Sequence, residues 1–181
     1  MAKHLKTFTT RVSGFLSPRH TVIDEDGKEI GVIQVRRNRL GMIVSGTWTP
    51  EKGEVLVFKR QPGLLRAQFA CWTEAREWLG SSIRPGVMRR TVEISTGAKS
   101  VRLVPRLALG RGWRVVGAKS ALVAQIDHGW LNRGAKIETF KKFDLELLLF
   151  SYFLGGLALW ESALPTALEA VDRGTPQTAR G

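Results

Sequence analysis

Lys141-Lys-Phe-Asp144-Leu-Glu-Leu-Leu-Leu-Phe150-Ser-Tyr-Phe-Leu-Gly155-Gly-Leu-Ala-Leu-Trp160-Glu161 is the stretch on which the reading of this 181-residue chain turns. From Leu147 to Trp160 run 14 residues without a charge, and only Ser151 interrupts the apolar surface of the helical wheel. Asp144 stands where an N-cap belongs, and Pro165 stops the helix. A helix that is hydrophobic all round has to be buried, in protein or in lipid. At about 1.5 Å per residue such a run reaches roughly 21 Å, whereas a hydrocarbon core is roughly 30 Å thick. Extending it from Phe143 to Leu164 approaches spanning length only by admitting Asp144, Glu146 and Glu161. The expectation is therefore a core helix over about 144–164, with Leu147, Leu148, Phe150, Phe153, Leu154, Leu157 and Trp160 facing the core. A tail anchor is the competing reading. Gly155-Gly156 admits close approach of another backbone in either case.

The chain before this helix reads as strands. Thr21-Val-Ile-Asp-Glu-Asp-Gly27-Lys-Glu-Ile-Gly-Val-Ile-Gln-Val35 sets Asp26-Gly27 between two β-branched runs, a strong hairpin signal. Further runs span Leu40 to Trp48, Glu54 to Lys59, Leu64 to Trp72, Arg89 to Ser95, Ser100 to Leu107, Trp113 to Val116, Ala121 to Ile126 and Ala135 to Phe140. Gly and Pro punctuate them at short, even intervals, as in a sandwich or barrel. In Val101-Arg-Leu-Val-Pro-Arg-Leu107 apolar and polar side chains mostly alternate, which sends arginines outward. Thr73 to Leu79 departs from this, because Trp72, Ala75, Trp78 and Leu79 recur at helical spacing and Gly80 follows. A short helix is expected there. Residues 1–164 are expected to form a single domain and 165–181 a disordered tail.

Twelve excess cations give the chain a formal net charge of +12, and 43% hydrophobic residues exclude a disordered polycation. The charge is uneven: residues 1–142 hold 26 basic and 11 acidic side chains, and residues 143–181 hold 2 and 5. An anionic partner is expected, with no bearing on fold. The N-terminus is basic but no apolar run follows it, so no secretory signal is expected. With one cysteine, Cys71, the setting reads as reducing and cytoplasmic, with a peripheral membrane position admitted.

A β-rich chain with an early Val22-Ile-Asp-Glu-Asp-Gly27-Lys-Glu-Ile-Gly-Val-Ile33 hairpin and a closing apolar helix from Phe143-Asp144 to Trp160 resembles the Tubby C-terminal-like superfamily. That group includes the LURP-one-related proteins and the phospholipid scramblases. The resemblance implies a closed antiparallel barrel of about twelve strands around a central hydrophobic C-terminal helix. Closure removes sheet edges, and a barrel that wide needs a helix to fill it. The scramblases' cysteine-rich and calcium-binding segments have no counterpart here. A pleckstrin-like sheet with an amphipathic closing helix is the fold alternative.

The leading site expectation is a basic cluster on neighbouring strands, Arg84, Arg89, Arg90, Lys99, Arg102, Arg106, Arg111 and Arg114, against one acid, Glu93. Guanidinium forks take phosphate oxygens bidentately. The competing reading disperses them around a barrel that they merely solvate. Arg36, Arg37 and Arg39 form a second cluster in an expected turn. Of the six tryptophans, Trp130 reads as the most exposed and the others as core. No catalytic or metal-binding motif is present: His4, His20 and His128 stand apart, Asp127 and His128 point to opposite strand faces, and Cys71 lies in an apolar stretch. The functional expectation is a non-enzymatic module, without cofactor or metal, that binds anionic phospholipid headgroups. Nucleic-acid binding and a tail-anchored membrane protein are the alternatives.

Overall fold

The computed structural model describes residues 5–14, 17–39, 41–61, 68–83, 91–97, 99–106, 112–129 and 134–157. Its strands are β1 (Lys6–Ser13), β2 (Arg19–Ile23), β3 (Glu29–Arg37), β4 (Ile43–Pro50), β5 (Leu56–Arg60), β6 (Phe69–Thr73), β7 (Trp78–Ile83), β8 (Val92–Ser95), β9 (Ser100–Pro105), β10 (Gly112–Val116), β11 (Leu122–His128) and β12 (Gly134–Thr139). Each strand pairs antiparallel with its neighbours in sequence, and β12 returns to pair with β1, which closes the sheet. A helix, α1 (145–157), runs through the barrel. This meander sends successive connections to alternate ends.

The Asp26-Gly27 turn forms as expected. Asp24 Oδ1 accepts from the amides of Asp26 (3.1 Å) and Lys28 (2.9 Å), and Gly27 takes a φ of 80°, a left-handed value that costs glycine nothing. Alternation decides the faces. Gly31, Ile33 and Val35 on β3, and Val101 and Leu103 on β9, point inward, while Arg36 and Arg102 point out. Leu147, Leu148, Phe150, Phe153, Leu154 and Leu157 are all buried, so the apolar segment is the filling of the barrel. Trp160 lies outside the described residues. Fully burying each large apolar side chain contributes roughly 1.5–3 kcal/mol, so the helix is a main source of the fold's stability. Two glycines make room for it: a Cβ on Gly46 would stand 2.6 Å from the Phe153 ring, and one on Gly155 2.8 Å from Trp113. Ser151 satisfies its buried hydroxyl by donating to the Leu147 carbonyl at 2.7 Å.

One expected element is corrected. Thr73 to Leu79 is not a helix: β6 ends at Thr73, β7 begins at Trp78, and Trp72 faces Trp78 across the hairpin. Thr73 Oγ1 accepts the Glu77 amide at 3.1 Å, and Arg76 adopts a φ of 68°. Two helical turns repay little of the cost of nucleation, whereas strand pairing here closes the sheet. β1 also falls where no strand was expected. Among the described residues the additional helical turn is instead a 3-10 turn at Ala118–Ser120. The expected tail, 165–181, lies outside the described residues, as does the end of the core helix.

Candidate functional site

On the outer wall the strand register brings three of the expected arginines together: Arg114 on β10 pairs with Val104 and so stands diagonal to Arg102 and Arg106 on β9, with acids interspersed. Lys99 stands 3.2 Å from Asp144 Oδ2, at the end where the helix enters. Arg102 is exposed on β9 opposite Glu93 and donates to Ser120 Oγ at 3.3 Å. Arg106 is bonded to Asp127, which also accepts from Gln125 at 2.6 Å. Arg114 is exposed on β10, opposite Gln125. Arg84, Arg89, Arg90, Arg111 and Trp130 lie outside the described residues. In the second cluster Arg36 and Arg39 are exposed, but Arg37 is half-buried and donates to the Gly41 carbonyl at 2.8 Å. It holds the β3–β4 turn together.

The two ends of the barrel differ sharply in charge. The connections at the end where α1 begins read Asp24-Glu-Asp-Gly-Lys28, Glu51-Lys-Gly-Glu-Val55, Glu74-Ala-Arg-Glu77, Thr96-Gly-Ala-Lys99, Gly117-Ala-Lys-Ser-Ala121 and Phe140-Lys-Lys-Phe-Asp144. They hold eight acids and seven bases. The stretches of sequence between the strands that adjoin the opposite end, 14–18, 38–42, 61–68, 84–91, 106–111 and 129–133, contain eight arginines and no acid, of which Arg39 and Arg106 are among the described residues. Among the described residues at that end, Arg19, Arg36, Arg37, Arg39, Arg60 and Arg106 stand at or beside strand ends. The nearest acids, Glu93 and Asp127, lie inside strands and already face Arg102 and Arg106.

At the end where α1 begins a groove of about 870 Å³ opens over Phe8, Ile30, Trp48, Phe143, Leu145 and Leu148. Five lysines and four acids line it. Lys28 pairs with Glu51 at 2.9 Å and Asp24 is committed to its turn, so the rim is nearly balanced and does not select an anion.

Sequence reading missed an interior polar cluster near the arginine end. Tyr152 of α1 places its hydroxyl 2.8 Å from His20 Nδ1 and 3.0 Å from Thr10 Oγ1, which accepts the Ala135 amide at 2.7 Å. The His128 ring stacks on Tyr152 at 5.7 Å. Burial, with the neighbouring His128 and Arg37 charges, pushes His20 down to about 3, and burial pushes His128 down to about 4. Both rings are neutral at pH 7. Desolvation also raises the Tyr152 hydroxyl far above its ordinary range. Period-two alternation held the signal, since it puts His20 on the face of Val22 and sends His128 inward as Asp127 goes out. What the sequence could not show is that β2, β11 and α1 meet. The cluster fixes how deep the helix sits and presents no activated nucleophile. Burial pushes the Cys71 thiol up to about 12, which leaves it inert at neutral pH. Among the described residues no group of His, Cys, Asp or Glu could hold a metal ion, and no helix is long and apolar enough to cross a membrane.

Fold and site together define a closed twelve-stranded antiparallel barrel wrapped on an apolar helix, with one end rich in arginine. No protein-family model matches the chain, and no curated protein matches it. Among solved structures it is similar to a crystal structure of an Arabidopsis thaliana protein, at 11% identity and a TM-score of 0.52, covering 84% of this chain and 90% of that one. At that identity the likeness speaks to the fold alone.

Proposed function

We propose that this chain is a non-enzymatic β-barrel module of the Tubby C-terminal-like kind that docks on anionic phospholipid surfaces through its arginine-rich end. One observation carries the reading: the six connections at that end contain no acid, while the opposite end carries eight. A cation near an anionic leaflet contributes about 1 kcal/mol, and several on one rim act together. On the strand wall, by contrast, Lys99 pairs with Asp144 and Arg102 faces Glu93, which favours the barrel end as the docking face. The burial of the apolar helix counts against its use as an anchor. Sedimentation of the full chain with phosphatidylserine vesicles and with neutral phosphatidylcholine vesicles tests the proposal. Binding to the first alone is the expected result. Equal binding to both, or binding to duplex DNA in preference to either, contradicts it.

A further inference from the structure

The exposed apolar side chains extend the reading. Four large hydrophobic residues are prominently exposed among the described ones, and two of them, Met42 (40%) and Ile83 (43%), stand at the arginine-rich end. Met42 belongs to a tightly closed tip. The Asn38 amide donates to the Met42 carbonyl at 2.9 Å, Asn38 Oδ1 accepts the Met42 amide at 2.9 Å, and Gly41 donates back to Asn38 at 3.0 Å. Arg37 locks the Gly41 carbonyl from the barrel side. The amides of Asn38, Gly41 and Met42 are thus bonded within the turn, which lowers the cost of taking it out of bulk water. It presents a cation, Arg39, beside an apolar tip, Met42. Ile83, the last residue of β7, adds a second apolar point at the same end.

From this arrangement we infer that docking is interfacial: Met42 and Ile83 enter the headgroup and upper acyl region of an anionic bilayer while Arg39 and Arg19 engage the lipid phosphates. The occupant is a phospholipid surface, because nucleic acid offers the arginines a phosphate row but gives the apolar tips nowhere to go. The inference rests on the docking reading above and adds depth of insertion and a component of affinity that salt does not screen. Its consequence is that Met42→Ser, which changes no charge, weakens vesicle binding about tenfold and leaves a residual that high salt removes.

Cys71 is fully buried and its thiol is held protonated, so a single introduced cysteine can be labelled selectively. The test places an environment-sensitive fluorophore at Met42→Cys and, as control, at Lys52→Cys on the opposite end, in the full-length protein with phosphatidylserine vesicles. The inference predicts a blue shift and quenching by nitroxide-labelled acyl chains at position 42, persisting in high salt, with neither at position 52. Binding with the probe at 42 still in water overturns insertion and leaves electrostatic docking standing. No vesicle binding overturns both, as does a response to duplex DNA but not to vesicles.

Discussion

Asp24 and Asn38 do the same mechanical work at opposite ends of the barrel. Asp24 Oδ1 accepts the amide four residues on, from Lys28, at 2.9 Å, and Asn38 Oδ1 accepts the amide four residues on, from Met42, at 2.9 Å. Aspartate and asparagine both suit such turns, so turn geometry does not explain why one end uses a charged acceptor and the other a neutral one. The same holds for the ends as wholes. Their connections link equivalent antiparallel strands, yet one set is nearly balanced in charge and the other is free of acids. Folding has no need of the asymmetry, which is why it reads as function.

The helix joins the two ends, and removing it is the severest challenge to the comparison. Residues 1–142 alone are expected to lose the whole of a stability of about 5–15 kcal/mol and to show no dispersed NMR spectrum. A folded, dispersed product would mean that the barrel keeps its two ends without a core. Acid is the next largest perturbation and falls on the arginine end. His20 and His128 are held down to about 3 and about 4 against an ordinary 6.5, so below pH 6.5 the unfolded chain binds more protons than the folded one. Stability is then full above pH 6.5 and falls toward pH 4, by on the order of 2–4 kcal/mol at pH 5. Urea melts at pH 7 and pH 5 measure it, and unchanged midpoints would remove the buried histidines from the account.

Smaller effects sharpen the picture. Tyr152→Phe deletes the hydroxyl between His20 and Thr10 and is expected to cost about 1–2 kcal/mol, without altering vesicle binding to the folded protein. A loss of binding at unchanged stability would couple the inner cluster to the surface. Asn38→Asp retains the turn acceptor and adds one negative charge at the arginine end. Its expected stability change is within about 0.5 kcal/mol, while phosphatidylserine affinity drops about fivefold. A large unfolding penalty would show that the neutral residue is there for the fold.

Much of this architecture was legible in residues. Fourteen uncharged positions from Leu147 to Trp160 announced a buried helix, Asp26-Gly27 announced the first hairpin, and alternation sorted Arg102 outward. Thr73 to Leu79 misled because two turns of helical spacing also fit a hairpin whose flanks carry Trp72 and Trp78, and only closure of the sheet decides between them. The site was harder to read, for a physical reason. Clustering along the sequence suggested a wall of arginines, but strand register gave two of them, Arg102 and Arg106, acidic neighbours. The connections that share an end are far apart in sequence, so their common lack of acids emerges only once the strands are ordered as a meander.

The central claim is that one end of the barrel, and not net charge, binds the anionic surface. Two double variants change net charge equally at exposed positions on opposite ends: Arg19→Glu with Arg39→Glu, and Lys52→Glu with Lys119→Glu. Vesicle sedimentation of both against the parent chain is the most direct comparison. The account predicts that the first pair loses affinity for phosphatidylserine vesicles by about a thousandfold while the second stays within about threefold. Equal losses in the two pairs would contradict it.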